Sequence, residues 1–247
     1  MTSPPTSPAS SEGRPEVASL FDQVAVLLAG DTGVVDSTRA VQLASEAVPH
    51  GEHCGITLLR PRQRPRTIAY TDEVSPAVDA LQYQLDEGPC LDAAEADAVV
   101  RVPNLAEDDR WPRFAPRCVE QTGIRSMLSI RLPIGGDDRA GMNFYARSPG
   151  AFDEMDLRVG SILATYAALA VRGELHRQDV ANLQAALQSN RQIGTAVGIF
   201  MATEKVTEDR AFELLREASN QLNRKLADIA GQVNLTGALP QRPTSRD

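Results

Sequence analysis

Along residues 15–48, apolar side chains recur at helical spacing: Leu20, Val24, Leu27 and Leu28, then Val41, Leu43, Ala44 and Val48, with GDTGVVD breaking the run. Beyond Pro49 the period shortens. CGITLL, RTIAYT, VVRVPNL, SMLSIRLPI and GMNFYAR are short, rich in Val, Ile, Tyr or Thr, and bounded by Gly, Pro or Asp, which predicts strands. Between them SPAVDALQYQL and WPRFAPRCVEQTG predict helices, each with prolines near its start. GGDDRAG predicts a turn between two strands. Helices flanking mostly hairpin-linked strands make the first part of the chain an α+β sheet domain.

From Phe152 the strand pattern disappears. Asp153 is a plausible N-cap for a helix that meets no proline until well past Met201. Its apolar positions alternate in steps of four and three: Met155, Val159, Ile162, Tyr166, Leu169, Gly173, His176, Val180, Leu183, Leu187, Asn190, Gly194, Val197 and Met201. That is a heptad seam, the pattern that winds two helices together. The seam predicts a homodimer through Ile162, Tyr166, Leu169, Val180, Leu183, Leu187 and Asn190, with Asn190 fixing the register; the competing reading packs the same stripe on its own domain. Within it, NRQIGTAVGIFM (190–201) thins its side chains to Gly and Ala, although each interior Gly costs about 1 kcal/mol against Ala. After ATEKV the helical pattern resumes. Thr207 is an N-cap with Glu208 and Asp209 complementing the dipole, and Ala211, Leu214, Leu215 and Ala218 form the stripe. Asn223 is placed as cap of a third helix carrying Leu226, Ile229, Ala230 and Val233 and ending before Gly237.

Charge separates the two halves. The net formal charge is −8, concentrated upstream of His176, while the remainder is close to neutral. A wholly basic nucleic-acid binder is excluded; a locally cationic face is not. Cys54, Cys90 and Cys118 are an odd set without a CxxC pair and predict reduced thiols. The opening MTSPPTSPASSEGRP has neither the basic nor the apolar part of a signal peptide and reads as a disordered tail. No apolar run approaches membrane-spanning length, so a cytoplasmic protein with no membrane partner is expected.

The C-terminal stretch resembles a known family. Ile193, Ala196, Gly198, Ile199 and Met201, then Ala211-Phe212 with Leu214-Leu215-Arg216, then Ser219, Asn223 and Lys225-Leu226-Ala227-Asp228-Ile229-Ala230, look like an ANTAR domain, the RNA-binding module of bacterial transcription antiterminators. Upstream, LDEGPCLDA (85–93), Arg110-Trp111-Pro112 with Phe114, GIRSMLSIRLPI (123–134), GMNFYA (141–146) and AFDEMD (151–156) resemble a GAF sensory domain, as found fused to ANTAR in actinobacterial regulators. The expected organisation is a tail (1–15), a GAF domain (16–152), a linking coiled-coil helix (153–182), an ANTAR domain of three helices (183–238) and a second tail (239–247).

The resemblance implies binding of paired stem-loops in nascent RNA, which blocks a terminator hairpin. Structured RNA is held through phosphates, shape and unstacked loop bases. Candidate contacts are Arg191, Lys205, Arg210, Arg216, Arg224 and Lys225, with Ala196 and Gly198 as points of close approach; Ile193, Ala196 and Phe200 should also face the bundle core, as should Phe212. One position departs from the pattern. Family members commonly carry Lys between the Ala and the Gly, where this chain has Val197, and one missing cation lowers affinity and salt slope by about one charge.

The sensor half names no ligand. His50, His53 and Cys54 lack standard zinc spacing, so a core thiol with exposed histidines is expected and no metal. Cys90 in EGPC has no neighbouring His or Lys and reads as a buried structural thiol. Asn143 with Phe152, Asp153 and Glu154 is a fragment of the signature of cyclic-nucleotide-binding GAF domains, without its Lys. Asp137-Asp138 reads as a turn alone. No nucleophile, base and carboxylate set and no phosphate-cradling loop is present, so no catalytic residue and no cofactor is expected. The input is an unidentified small molecule or protein at the GAF domain, and activation by aspartyl phosphorylation is not expected. The competing reading is a dimeric sensor or interaction protein whose C-terminal helices bind RNA weakly or not at all.

Overall fold

The structure, a computed structural model, describes residues 36–96 and 99–240. The helical pattern through Leu20, Val24, Leu27 and Leu28, the tail at 1–15 and the last part of the tail at 239–247 lie outside the described residues. In chain order come α1 (Ser37–Ala47), β1 (His53–Leu59), β2 (Arg66–Tyr70), α2 (Val74–Leu85), α3 (Pro89–Ala96), β3 (Val99–Val102), a 3-10 turn (Leu105–Glu107), α4 (Phe114–Thr122), β4 (Ser126–Leu132), β5 (Arg139–Ala146), α5 (Glu154–Thr203), α6 (Glu208–Leu222) and α7 (Leu226–Thr236). They divide into two compact units, with the boundary between Leu175 and His176, inside α5.

In the first unit the five strands form one antiparallel sheet in the order β2-β1-β5-β4-β3. The period-2 alternation gives the sheet two faces with different chemistry. Cys54, Ile56 and Leu58 of β1, Leu128, Ile130 and Leu132 of β4, and Met142 and Phe144 of β5 turn to one side. There they meet Val41 and Ala44 of α1 and Val159, Leu163, Ala167 and Val171 of α5. Small residues on α5 allow close packing: a Cβ added at Gly160 would lie 2.7 Å from Ile130 Cδ1. The opposite face carries Met127 and Tyr145, packed with Val78 of α2, Leu105, Trp111, and Phe114 and Cys118 of α4. Ser37 ties α1 to α5, its N–H and Oγ donating to the Glu174 carboxylate at 2.7 and 3.0 Å.

The start of α5 is fixed by a reciprocal cap. Asp153 Oδ1 accepts from the N–H groups of Met155 and Asp156, and Asp156 Oδ2 accepts from Asp153 N–H, all within 2.9 Å. The cap expected at Asp153 is therefore present. One helix was not anticipated. Pro89–Ala96 (PCLDAAEA) follows Gly88 directly and is too short for a helical period to stand out.

The second unit is a three-helix bundle. Ala196, Val197 and Phe200 of α5, Ala211, Leu215 and Ala218 of α6, and Ile229, Ala230 and Val233 of α7 form its core, with Ile193, Leu214 and Leu226 packed against it. Thr207 caps α6, its side chain accepting from Arg210 N–H at 3.4 Å. Two expectations need correction. Asn223 does not open α7. It closes α6 in the left-handed conformation, φ 50°, and α7 starts after Lys225, because Asn tolerates that region better than most residues. Phe212 is not core: Ala211 and Leu215 take the inward stripe, and Phe212 turns outward with 41% of its surface exposed.

Candidate functional site

On the second face of the sheet lies a polar cluster centred on the fully buried Asp79. Asp79 of α2 accepts hydrogen bonds from Thr67 Oγ1 (2.7 Å), Thr57 Oγ1 (3.2 Å), Gln82 Nε2 (3.3 Å) and the Tyr145 hydroxyl. Tyr83 donates to Thr57 Oγ1 at 2.9 Å, and Asn143 Nδ2 donates to the same oxygen at 3.0 Å. Burial pushes the Asp79 carboxyl above its ordinary range, although the hydroxyl donors oppose the shift. Asn143 Oδ1 and Ser129 Oγ are buried without a hydrogen-bond partner. A buried, unsatisfied acceptor and hydroxyl are costly in a closed core, which makes these two atoms the candidate points for a polar guest on this face. Asn143 thus contributes to this cluster, whereas Asp153 serves the helix cap. Polar residues at alternate positions of strands whose other face is apolar were the available signal for the cluster. Asp79, inside a helical stretch, gave none.

Cys54 and Cys90 are buried, as expected, and Cys118 is buried too. Desolvation holds the Cys90 thiol well above its ordinary range and pushes Cys118 up to about 11, which removes thiolate chemistry at neutral pH. His53 is a correction. It is buried, not exposed, with Nδ1 at 2.8 Å from Asp72 Oδ2 and Nε2 at 2.8 Å from Arg147. His50 is exposed and pairs with Asp156 at 3.1 Å. His50 and His53 thus pair with different carboxylates, and among the described residues no cluster could hold a metal ion.

In the second unit the candidate cations fall into two groups. Arg191, Lys205, Arg216 and Lys225 are exposed, and none of the described ion pairs includes them. Arg210 is bound on its own helix by Glu213 and Glu217, both at 3.1 Å, so two carboxylates compete with any phosphate there. Arg224 donates to Gln232 at 2.9 Å and keeps its charge exposed. Ala196 is fully buried in the bundle core and presents no surface for a ligand; its candidacy as a contact is corrected on that ground. Val197, at the position of the family lysine, is also core, so the missing cation is replaced by packing.

Gly194 and Gly198 are exposed, and a Cβ built on either meets nothing within 4 Å. Their smallness therefore serves no neighbour within the bundle. They line an open groove of about 1050 Å³ with Asn190, Val197, Met201, Phe212 and Arg216, whose rim also carries Glu208, Asp209 and Glu213. Upstream on α5, Tyr166 of the predicted seam is half-buried against its own unit's core, and Ile162 is half-buried too. Leu169, Val180, Leu183 and Leu187 are 41–62% exposed, and Asn190 is exposed. The stripe is thus divided: its first part packs at home, and its later part is exposed among the described residues.

The family model described as GAF domain matches residues 37–172, and that described as ANTAR domain matches residues 181–233. No curated protein matches. Among solved structures, the chain is similar to type II free methionine-R-sulfoxide reductase from Thermoplasma acidophilum, at 18% identity and TM-score 0.45, over 55% of this chain and 89% of that one. It is similar to free methionine-R-sulfoxide reductase from Neisseria meningitidis, at 18% identity and TM-score 0.47, over 65% and 89%. It is also similar to the GAF domain of a phosphoenolpyruvate-protein phosphotransferase from Coxiella burnetii, at 12% identity and TM-score 0.49, over 67% and 99%.

Proposed function

We propose, from the premise that this chain belongs to the GAF family and carries an ANTAR domain behind its GAF domain, that it is a cytoplasmic RNA-binding antitermination regulator. Its ANTAR bundle holds paired stem-loops of a nascent transcript and keeps a terminator hairpin from forming. The observation that carries the reading is the coincidence of the ANTAR match with a separate three-helix core whose surface presents Arg191, Lys205, Arg216 and Lys225 free of described ion pairs. Guanidinium and ammonium groups left unpaired by carboxylates are the groups that displace counterions from phosphates. Arg224 adds a fifth charge, while Arg210 contributes less because Glu213 and Glu217 already hold it.

Two copies act together. Leu169, Val180, Leu183 and Leu187 leave an apolar stripe on α5 that a second copy covers, with Asn190 setting the register. The groove beside Gly194 and Gly198 belongs with this stripe more naturally than with phosphates, because its carboxylate rim repels them while its glycines allow a helix to approach closely. The input is a small polar molecule bound at the Asp79–Asn143 cluster, or a protein on the GAF surface. It controls RNA binding only to the extent that it binds one arrangement of α5 more tightly than another.

Filter binding of the dimer to an RNA with two tandem hairpins, against a scrambled RNA at low salt, tests the reading. Preference for the hairpins, weakening as salt rises, is expected; equal retention of both RNAs sinks it. A second reading, a dimeric sensor that binds partners other than RNA, is favoured by buried Val197 and the acidic rim of the groove. If Arg191→Ala with Lys205→Ala leaves hairpin affinity unchanged at moderate salt, that reading replaces the first.

A further inference from the structure

The loop between β1 and β2 reads RPRQRPR, with Arg60, Arg62, Arg64 and Arg66 within seven residues of an otherwise acidic chain. Its geometry is defined. Gln63 N–H donates to Arg60 O at 3.1 Å, closing a turn with Pro61 at its first corner and Arg62 at its second. Arg62 has φ 62°, the left-handed conformation that such turns ordinarily give to Gly or Asn. Pro65 holds Arg64 to an extended conformation. Arg60 is anchored, its Nε 3.2 Å from Asp138 in the β4–β5 turn, and Arg139 Nη1 donates to Gly136 O and Asp138 O of the same turn. The Asp137–Asp138 turn therefore does more than reverse the chain: it braces the arginine loop. Arg62, Arg64 and Arg66 are exposed, and none of the described ion pairs or hydrogen bonds includes their side chains. Asp137 is the one further carboxylate in that turn, and three cations outnumber it.

We infer that this braced arginine loop is a second, sequence-independent RNA contact, on the GAF domain, that grips phosphates of the same transcript. The inference rests on the RNA-binding reading above and deepens it. Edge protection does not account for the loop. β2 is an edge strand opened by Arg66, but the rest of it, Thr67-Ile68-Ala69-Tyr70, carries no charge, and Arg62 and Arg64 lie in the loop before it. A protein partner would call for an apolar pocket at the centre of the contact, and RPRQRPR offers no large apolar side chain. An anionic lipid surface attracts clustered cations as well, but RPRQRPR adds no aromatic or aliphatic anchor to hold it there, and the vesicle arm of the test separates the two. A polyanion requires only forked cations held apart at the surface, which the turn and the two prolines provide.

The test uses the full-length chain and a fluorescein-labelled RNA of two tandem hairpins, titrated from 50 to 200 mM salt. The phosphate term does not depend on sequence, so the exact hairpins are not critical. Arg62→Ala, Arg64→Ala and Arg66→Ala combined should weaken binding roughly tenfold or more and lower the slope of log affinity against log salt by about two to three, at an unchanged melting temperature. The corresponding triple Lys variant should keep most of the slope. If wild-type protein binds and the alanine variant matches it in affinity and slope, the loop is no RNA contact. If the alanine variant instead loses binding only to phosphatidylserine vesicles, the loop is a lipid contact and the inference is overturned. Failure of wild-type protein to bind RNA even at 50 mM salt sinks the RNA reading itself, and this inference with it.

Discussion

Asp79 shows how one side chain connects the sensor core to pH. Desolvation raises its carboxyl above the unfolded value, so between the two values the folded state holds a proton that the unfolded state has lost. Stability from this group is then fullest in acid and falls as pH rises through that interval, by at most about 1.4 kcal/mol per pH unit. Asp79→Asn keeps the shape and removes the titration. As pH rises from 4, its melting temperature should fall less than that of the wild type, and parallel curves would show the carboxyl to be ionised throughout. A second contrast lies in α6. Leu215, fully buried, should cost about 2–5 kcal/mol on truncation to Ala, whereas Phe212, exposed on the groove, should cost less than about 1 kcal/mol in urea titrations. Self-association, not stability, is where Phe212→Ala should register. Individual residues were the least legible scale in the sequence. Phe212 sits one position from a strict apolar stripe, where a hundred degrees of helical turn decides between core and solvent. Asp79 looked like any polar position of an amphipathic helix, because what buries it are strands 12 to 66 residues away in sequence.

Elements were more legible, since period and punctuation are local. The five strands, the long helix and α6 lie where alternation, heptad and cap residues placed them, α7 is capped at Lys225 and not at the expected Asn223, and α3 escaped because eight residues after a glycine carry too little period. The glycines of α5 illustrate what an element can hide. Gly194 and Gly198 lower helix propensity, yet no contact within the bundle requires them. Gly194→Ala with Gly198→Ala should therefore stabilise the isolated bundle by about 0.5–1 kcal/mol per site. If a second copy packs into the groove, the same methyl groups will hinder it. The expected outcome is a higher melting temperature at low protein concentration together with weaker self-association by analytical ultracentrifugation. A rise in melting temperature with association unchanged would place the closing surface elsewhere.

At the scale of the whole molecule, the order of a GAF domain and an ANTAR domain was legible because each carries its own residues, while the state of assembly was not. A heptad seam is written identically whether its stripe is covered by the same chain or by another. The structure divides the cases: Tyr166 packs on its own unit's core and Ile162 is half-buried, but Leu169, Val180, Leu183 and Leu187 remain exposed along one helix. Fully burying an exposed leucine or valine contributes about 1.5–3 kcal/mol, and with these side chains already about half covered roughly half of that from each of four positions in two copies is set against the entropy of association. Leu183→Asp with Leu187→Asp places like charges face to face in a paired helix and leaves the solvent-facing stripe of a single chain nearly untouched. Sedimentation should then report a monomer with the wild-type circular dichroism spectrum. Affinity for a single hairpin should survive in that monomer, whereas affinity for two tandem hairpins should drop by about a hundredfold or more, because the second contact loses its effective concentration. Equal losses for one hairpin and two would mean that pairing builds each RNA surface rather than joining two finished ones. A double variant that still sediments as a dimer would move the interface off this stripe altogether.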